Sequence, residues 1–269
     1  MGLTSLGLSL RYRQPVLTAW STPGAALLVT AGAGVGMAEA VGAFMVSAVL
    51  ITLAGASGWF ERAMNRIPQA LASALLAGVL ARFAFDAFAA ARGDVMLVAV
   101  IFVVYLLGRR GWPRYAVPGV LLAGMVVALA RGQLNFGAVP WQLATPVFTM
   151  SSFSLAATIG IALPLFVVTM ASQNLPGVVA QRAAGYATPV SPVTTTTGLA
   201  TLVLAPFGAF ALSLAAITAA ICMGREAHAD PARRWVASAA AGVFYIVTGL
   251  LAGGVLAGAL AWGVLHRRA

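Results

Sequence analysis

The sequence predicts an all-α polytopic membrane protein in which two crossings are each split into an extended stretch and a short helix. Three observations predict it. Hydrophobic residues make up 61% of the 269 residues and charged residues only 8%, where a soluble domain carries roughly a quarter charged. Apolar segments of bilayer-crossing length, about 20 residues each, recur from end to end, with room for about nine spans and no large soluble domain. Two segments in corresponding places, 15–31 and 207–224, carry Pro, Gly and Ser where a plain span would be uniformly apolar.

Along the chain, residues 1–10 form an apolar stub too short to span, ended by Arg11 and Arg13. The next stretch reads "PVLTAWSTPGAALLVTAG". From Val16 to Thr22 polar and apolar residues roughly alternate, as in an extended strand. Thr22 then caps a helix, with Pro23 at its first position, where the missing N–H costs nothing. That helix, about nine residues, rises only about 14 Å, half the hydrocarbon thickness. Residues 37–60 make a full span closed by "ERAMNR", and 67–91 another, with Arg82 and Asp86 inside it. A short span at 94–108 ends in "GRRGWPR", 115–130 is a further span, and a loop rich in Pro, Gln and Asn covers 131–153.

Residues 154–175 form a span that ends in three uncharged polar residues, Ser172, Gln173 and Asn174. After it come 193–206, with "TTTT" at 194–197 opening a helix, and then "PFGAFALSLAAITAAICMG". This second interrupted segment reads as an extended piece followed by about ten helical residues from Ala215. A long apolar run at 235–265 is last. Two strand-plus-half-helix crossings are the pattern of an inverted-repeat transporter. Two ordinary helices kinked at Pro and Gly would carry it as well.

The net charge of +10 does not point to nucleic acid. All sixteen basic residues are arginines, placed singly or in pairs at the ends of apolar runs, which is how loops orient a membrane protein. Loops at 11–14, 61–66, 109–114, 176–192 and 225–234 hold eleven arginines, against four in the opposite loops and at the C-terminus, so the first set is expected in the cytoplasm. Cys222 reads as a small buried hydrophobe. No cleavable signal peptide is expected from "MGLTSLGLSLRYR". No metal is expected: Glu226, His228 and Asp230 have ligand chemistry but sit in one short loop. No cofactor is expected either, because "GAGVG" at 32–36 lacks the setting of a dinucleotide fingerprint. With two histidines and no serine–histidine–acid grouping, an enzyme is not expected.

Four motifs carry a resemblance: "SLRYRQPVLTAWSTPGAALL", "MASQNLPGV", "APFGAFALSLAAITAAICMG" and "AHADPARRW". With them the chain resembles the benzoate:proton symporter family, called BenE, over nearly its whole length. The resemblance implies a uracil-permease- and sulfate-transporter-like fold of seven-plus-seven inverted repeats, whose core domain slides against a gate domain. It implies core crossings over 1–60 (the end of crossing 2, broken crossing 3, crossing 4), gate helices and a loop over 61–150, and core crossings 8–11 over 151–269. The first crossing and the last three gate crossings have no counterpart, so the chain resembles an internal piece. The function so implied is proton-coupled uptake of benzoate or a related aromatic carboxylate across a bacterial inner membrane. A non-transporting remnant and an anion channel of the same fold stay open. Partners are then a small anion, protons and lipid, with a homodimer as candidate assembly.

In that frame both half-helices aim their N-termini at the midplane, where N–H groups and dipoles favour an anion. Ser172, Gln173 and Asn174 of the eighth crossing reach the same point, with a helix C-terminus capped by its own polar residues as the other reading. Thr18, Trp20, Ser21 and Thr22 are the candidates of the first strand. Trp20 is suited to stacking on an aromatic ring and equally to a membrane interface. Ser213 is the matching cap of the second half-helix. Asp86, an acid well inside a span, is the candidate for proton coupling, although it could pair with Arg82 four residues back.

Overall fold

The structure, a computed structural model, describes all residues except 33, 69, 72–73, 75–76, 79–80, 82–84, 87, 90, 133–142 and 252–269. Much of the predicted span 67–91, including Arg82, and the end of the run 235–265 lie outside the described residues. Helices dominate the rest, with two three-residue strands. Two compact units form: Met1–Gly78 with Pro146–Ile246, and Val79–Thr145 with Val247–Ala269.

The first unit opens with α1 (Gly2–Tyr12), stopped by Arg13 in the left-handed conformation. Strand β1 (Thr18–Trp20) runs straight into α2 (Thr22–Ala31). Helix α3 (Met37–Ala56) follows, and Gly58 at φ 65° turns the chain into α4 (Trp59–Asn65). The predicted span 37–60 is therefore two helices, and "ERAMNR" is mostly helical rather than loop. The glycine's positive φ, strained for any other residue, makes that break possible.

Helix α7 runs without interruption from Leu155 to Ala183. The sequence reading ended it at 175 and placed a loop at 176–192, which is a correction. Pro176 read as a stop, but the helix absorbs it. Two wide π-turns, Thr158–Ala162 and Met170–Asn174, each lie just before a Leu-Pro pair. In each, the leucine N–H reaches five residues back, Leu163 to Thr158 O and Leu175 to Met170 O. A proline cannot donate to the residue four before it and crowds that carbonyl, so a widened turn ahead of it relieves the clash and keeps the helix going.

Helix α8 (Val190–Leu204) also starts earlier than predicted, so Thr194–Thr197 lie inside it and do not open it. A 3₁₀ turn (Ala205–Phe207) and Gly208 at φ 87° lead to β2 (Leu212–Leu214). The extended piece is thus shorter and later than the predicted 207–213. Helix α9 (Ile217–Met223) has seven residues, not the ten expected from Ala215, and α10 (Trp235–Leu250) is the last among the described residues.

Among the described residues three helices are long and apolar enough to cross a membrane: Met37–Ala56, Leu155–Ala183 and Val190–Phe207. Lipid tails are as apolar as leucine, so close packing and hydrogen bonds, more than burial, hold such helices together. Helices α3 and α8 approach until a Cβ on Gly198 would stand 2.4 Å from Thr52 Oγ1 and 2.7 Å from Thr52 N. Ile51, Met170, Val178, Val193 and Leu214 close the core around that contact.

In the second unit, Asp94 caps α5 (Val95–Gly111) by accepting from Leu97 N at 2.9 Å, and it pairs with Arg131. A 3₁₀ turn at Pro113–Tyr115 joins α5 to α6 (Ala116–Ala130). Residues 143–154 form neither helix nor strand.

Candidate functional site

The two strands pair antiparallel, with Thr18 opposite Leu214, Ala19 opposite Ser213 and Trp20 opposite Leu212. Ala215 N donates to Leu17 O at 2.9 Å and Ser21 N to Ala211 O at 3.1 Å. Bonds therefore fall on alternate pairs, and the N–H groups of residues 18, 20, 212 and 214 face outward. Side chains meet three of them. Ser5 Oγ accepts from Thr18 N at 2.9 Å, Thr201 Oγ1 from Leu212 N at 3.0 Å, and Asn174 Oδ1 from Leu214 N at 2.9 Å. Trp20 N–H has no partner among the described residues.

Asn174 is fully buried and its amide also donates to Met170 Sδ at 3.1 Å, so it clamps α7 to β2. Close packing backs the clamp: a Cβ on Gly177 would meet Leu214 Cβ at 2.6 Å. Ser172 spends its hydroxyl on Val168 O within its own helix. Gln173 is half-buried, and its carboxamide has no partner among the described residues. The trio sits in the second π-turn, inside a helix, so the reading as a helix C-terminus is corrected.

The first-strand candidates divide as sharply. Thr18 is buried, and its hydroxyl lies 2.7 Å from Thr4 Oγ1 and 2.9 Å from Ser5 Oγ, which ties β1 to α1. Ser21, not Thr22, caps α2: its backbone is extended and its Oγ accepts from Gly24 N at 3.1 Å. Thr22 becomes the first helical residue and is exposed. Trp20 is 55% exposed and stacks on Phe210, ring centroids 6.4 Å apart, and Phe210 packs in turn on Phe44 at 5.7 Å. Ser213 caps nothing. It sits at the centre of β2, four residues before α9, and donates to Ala19 O at 3.3 Å. Asp86 is helical and exposed in the other unit.

Some residues escaped sequence reasoning. Phe210, adjoining the strand, gave a signal only as one more apolar residue. Arg234, read as a topology marker, is nearly buried and donates to Met223 O at 2.8 Å and His228 O at 2.9 Å. It thereby closes the C-terminus of α9, where a positive charge is favoured. Gln181, also buried, donates to Pro15 O at 2.8 Å and accepts from Thr188 at 2.9 Å. Among the described residues no three His, Cys, Asp or Glu side chains gather to hold a metal.

Membrane-length apolar helices beside a side-chain-held strand pair, of which β2 is buried, define a helical membrane protein with irregular backbone inside protein. The comparisons with known proteins narrow the class. The family model for the benzoate membrane transport protein, BenE, matches residues 1–264, and the chain belongs to that family of membrane transporters, which is not an enzyme family. It is 48% identical to the inner membrane protein YdcO of Escherichia coli over 261 residues, covering 97% of this chain and 66% of that protein. It is 37% identical to the benzoate membrane transport protein of Acinetobacter baylyi over 255 residues, covering 95% of this chain and 65% of that one. The chain thus spans about two thirds of the length of these relatives.

Proposed function

We propose that the protein is a secondary active transporter that takes up benzoate or a related aromatic carboxylate with protons across a bacterial inner membrane. One observation carries the reading. Among the described residues, the strand pair has its other outward amides satisfied while Trp20 N–H, the Gln173 carboxamide and the exposed Thr22 hydroxyl have no partner, and Trp20 stacks on Phe210. Donors without a carboxylate suit an anion, and stacked rings suit an aromatic one. Membership in the family and the name of the Acinetobacter relative support the same substrate class.

On this reading the unit of Met1–Gly78 and Pro146–Ile246 is the core of an inverted-repeat fold and the other unit belongs to the gate. The segments 11–14, 61–66, 109–114, 176–192 and 225–234, partly helical, face the cytoplasm, and a homodimer is the assembly. Gln173, Thr22 and Trp20 touch substrate, whereas Asn174, Thr18, Ser21, Ser172 and Ser213 hold the backbone that presents it. Asp86 carries the coupling proton.

The test is uptake of labelled benzoate by cells expressing the protein from its complete gene. Gln173→Ala should lower apparent affinity by one to two decades, about 1–3 kcal/mol for a donor lost from a dry site, and leave membrane levels unchanged. Asp86→Asn should remove the dependence of uptake on the proton gradient. Unaltered benzoate uptake in Gln173→Ala would refute the site.

A further inference from the structure

At one end of the α5–α6 hairpin a cavity of about 600 Å³ opens between the helices. Its wall is apolar: Val104 and Leu107 come from α5, Gly119 from α6, and Trp112 and Tyr115 from the turn at the mouth. The helices pack tightly at Gly108, where a Cβ would lie 3.0 Å from Ala116 Cα, and Gly108 and Ala116 also line the cavity. Trp112 and Tyr115 are 73% and 64% exposed.

The charge around this mouth is one-sided. Arginines occupy positions 109, 110 and 114, and residues 95–145 contain no Asp or Glu. At the far end of the hairpin the Asp94–Arg131 pair is already neutralised. Arg109 folds over the Tyr105 ring, 5.9 Å from its centroid. Arg110 is exposed, without a partner among the described residues, and three residues beyond Leu107, so it stands beside that groove residue on the helix surface.

We propose that this groove binds one anionic glycerophospholipid, with an acyl chain along Val104, Leu107 and Gly119 and its phosphate on Arg110. An apolar cleft in a bilayer left empty forfeits the dispersion contacts of its whole lining, and an acyl chain supplies them. A guanidinium offers a phosphodiester two parallel donors. Trp112 and Tyr115 belong where an apolar body meets a wet edge, at headgroup level. A zwitterionic lipid would bring a choline cation to the same arginines, so the preference is for net negative charge.

Lipid exchange on the purified protein, read by native mass spectrometry, tests this with phosphatidylglycerol and phosphatidylcholine as probes. One phosphatidylglycerol should be retained per chain, about tenfold over phosphatidylcholine, and Arg110→Gln should erase most of that preference. Leu107→Trp, which fills the groove, should expel the lipid whatever its headgroup. A photoreactive phosphatidylglycerol on the unaltered protein, which needs no variant to fold, should label the Trp112–Tyr115 peptide. Equal retention of the two lipids, unchanged preference in Arg110→Gln, displacement by benzoate, or absence of label because another protein segment covers the groove would each overturn the assignment.

Discussion

The two segments that the sequence marks as broken crossings, 15–31 and 207–224, look alike in outline and are held in opposite ways. In the first, β1 runs directly into a ten-residue α2, and the cap, Ser21, lies between them. The outward edge of β1 is met by Ser5, thirteen residues upstream. In the second, Ala215 and Ala216 separate β2 from a seven-residue α9 that has no side-chain cap. The outward edge of β2 is met by Thr201 on α8 and by Asn174 on α7, the latter forty residues away. The outward edge of the first is held from its own neighbourhood. The second is folded by helices that must already be in place.

Substitutions can break that comparison, and the largest effect belongs to the second crossing. Gly177→Val forces a branched side chain into Leu214 and should destabilise the protein by about 3 kcal/mol. Thermal unfolding in detergent would show it, and a wild-type midpoint would mean that α7 does not press on β2. Next comes Asn174→Ala, which strands the buried Leu214 N–H and should cost about 1–3 kcal/mol. The same unfolding measurement should find Gln173→Ala, one residue away, indistinguishable from wild type. In the first crossing, Ser21→Ala should cost about 1 kcal/mol and Ser21→Gly only a few tenths. If Thr22→Ala proved the more costly, the cap would have to move back to Thr22. Ser213→Ala should cost less than Ser21→Ala, about 0.5 kcal/mol, because it removes only a long bond to Ala19 O. In a Cys222→Ala background, cysteines at the opposed positions 19 and 213 should oxidise to a disulfide, and failure to do so would break the register itself.

The same contrast decides how much could be read from sequence. Both strands and both half-helices were legible, because alternation, Pro23 and the Gly- and Ser-containing run are local signals. The cap was displaced by one residue because Ser21 and Thr22 carry the same chemistry and proline is tolerated at either early position. The placement of Ser172–Asn174 failed for a different reason. Pro176 is an ordinary stop signal, and nothing nearby says that a wide turn will accommodate it. Ser213 was misread because its partner, Ala19, lies on the other crossing, and sequence spacing holds no record of that. Within the trio the types were informative, yet only the fold separates Asn174, which is spent on a backbone amide, from Gln173, which is not.

The outward amides of the strand pair also set a clock. Leu212 and Leu214 N–H are bonded to side chains anchored on two helices, so water reaches them only when the helices part. Trp20 N–H, one position across the ladder from Leu212, has no such guard. In deuterated buffer Trp20 N–H should therefore exchange far faster than Leu212 and Leu214 N–H although all three lie in one sheet. The fast amide belongs to the strand whose outward edge is held locally, and the slow ones report the opening of helices far along the chain.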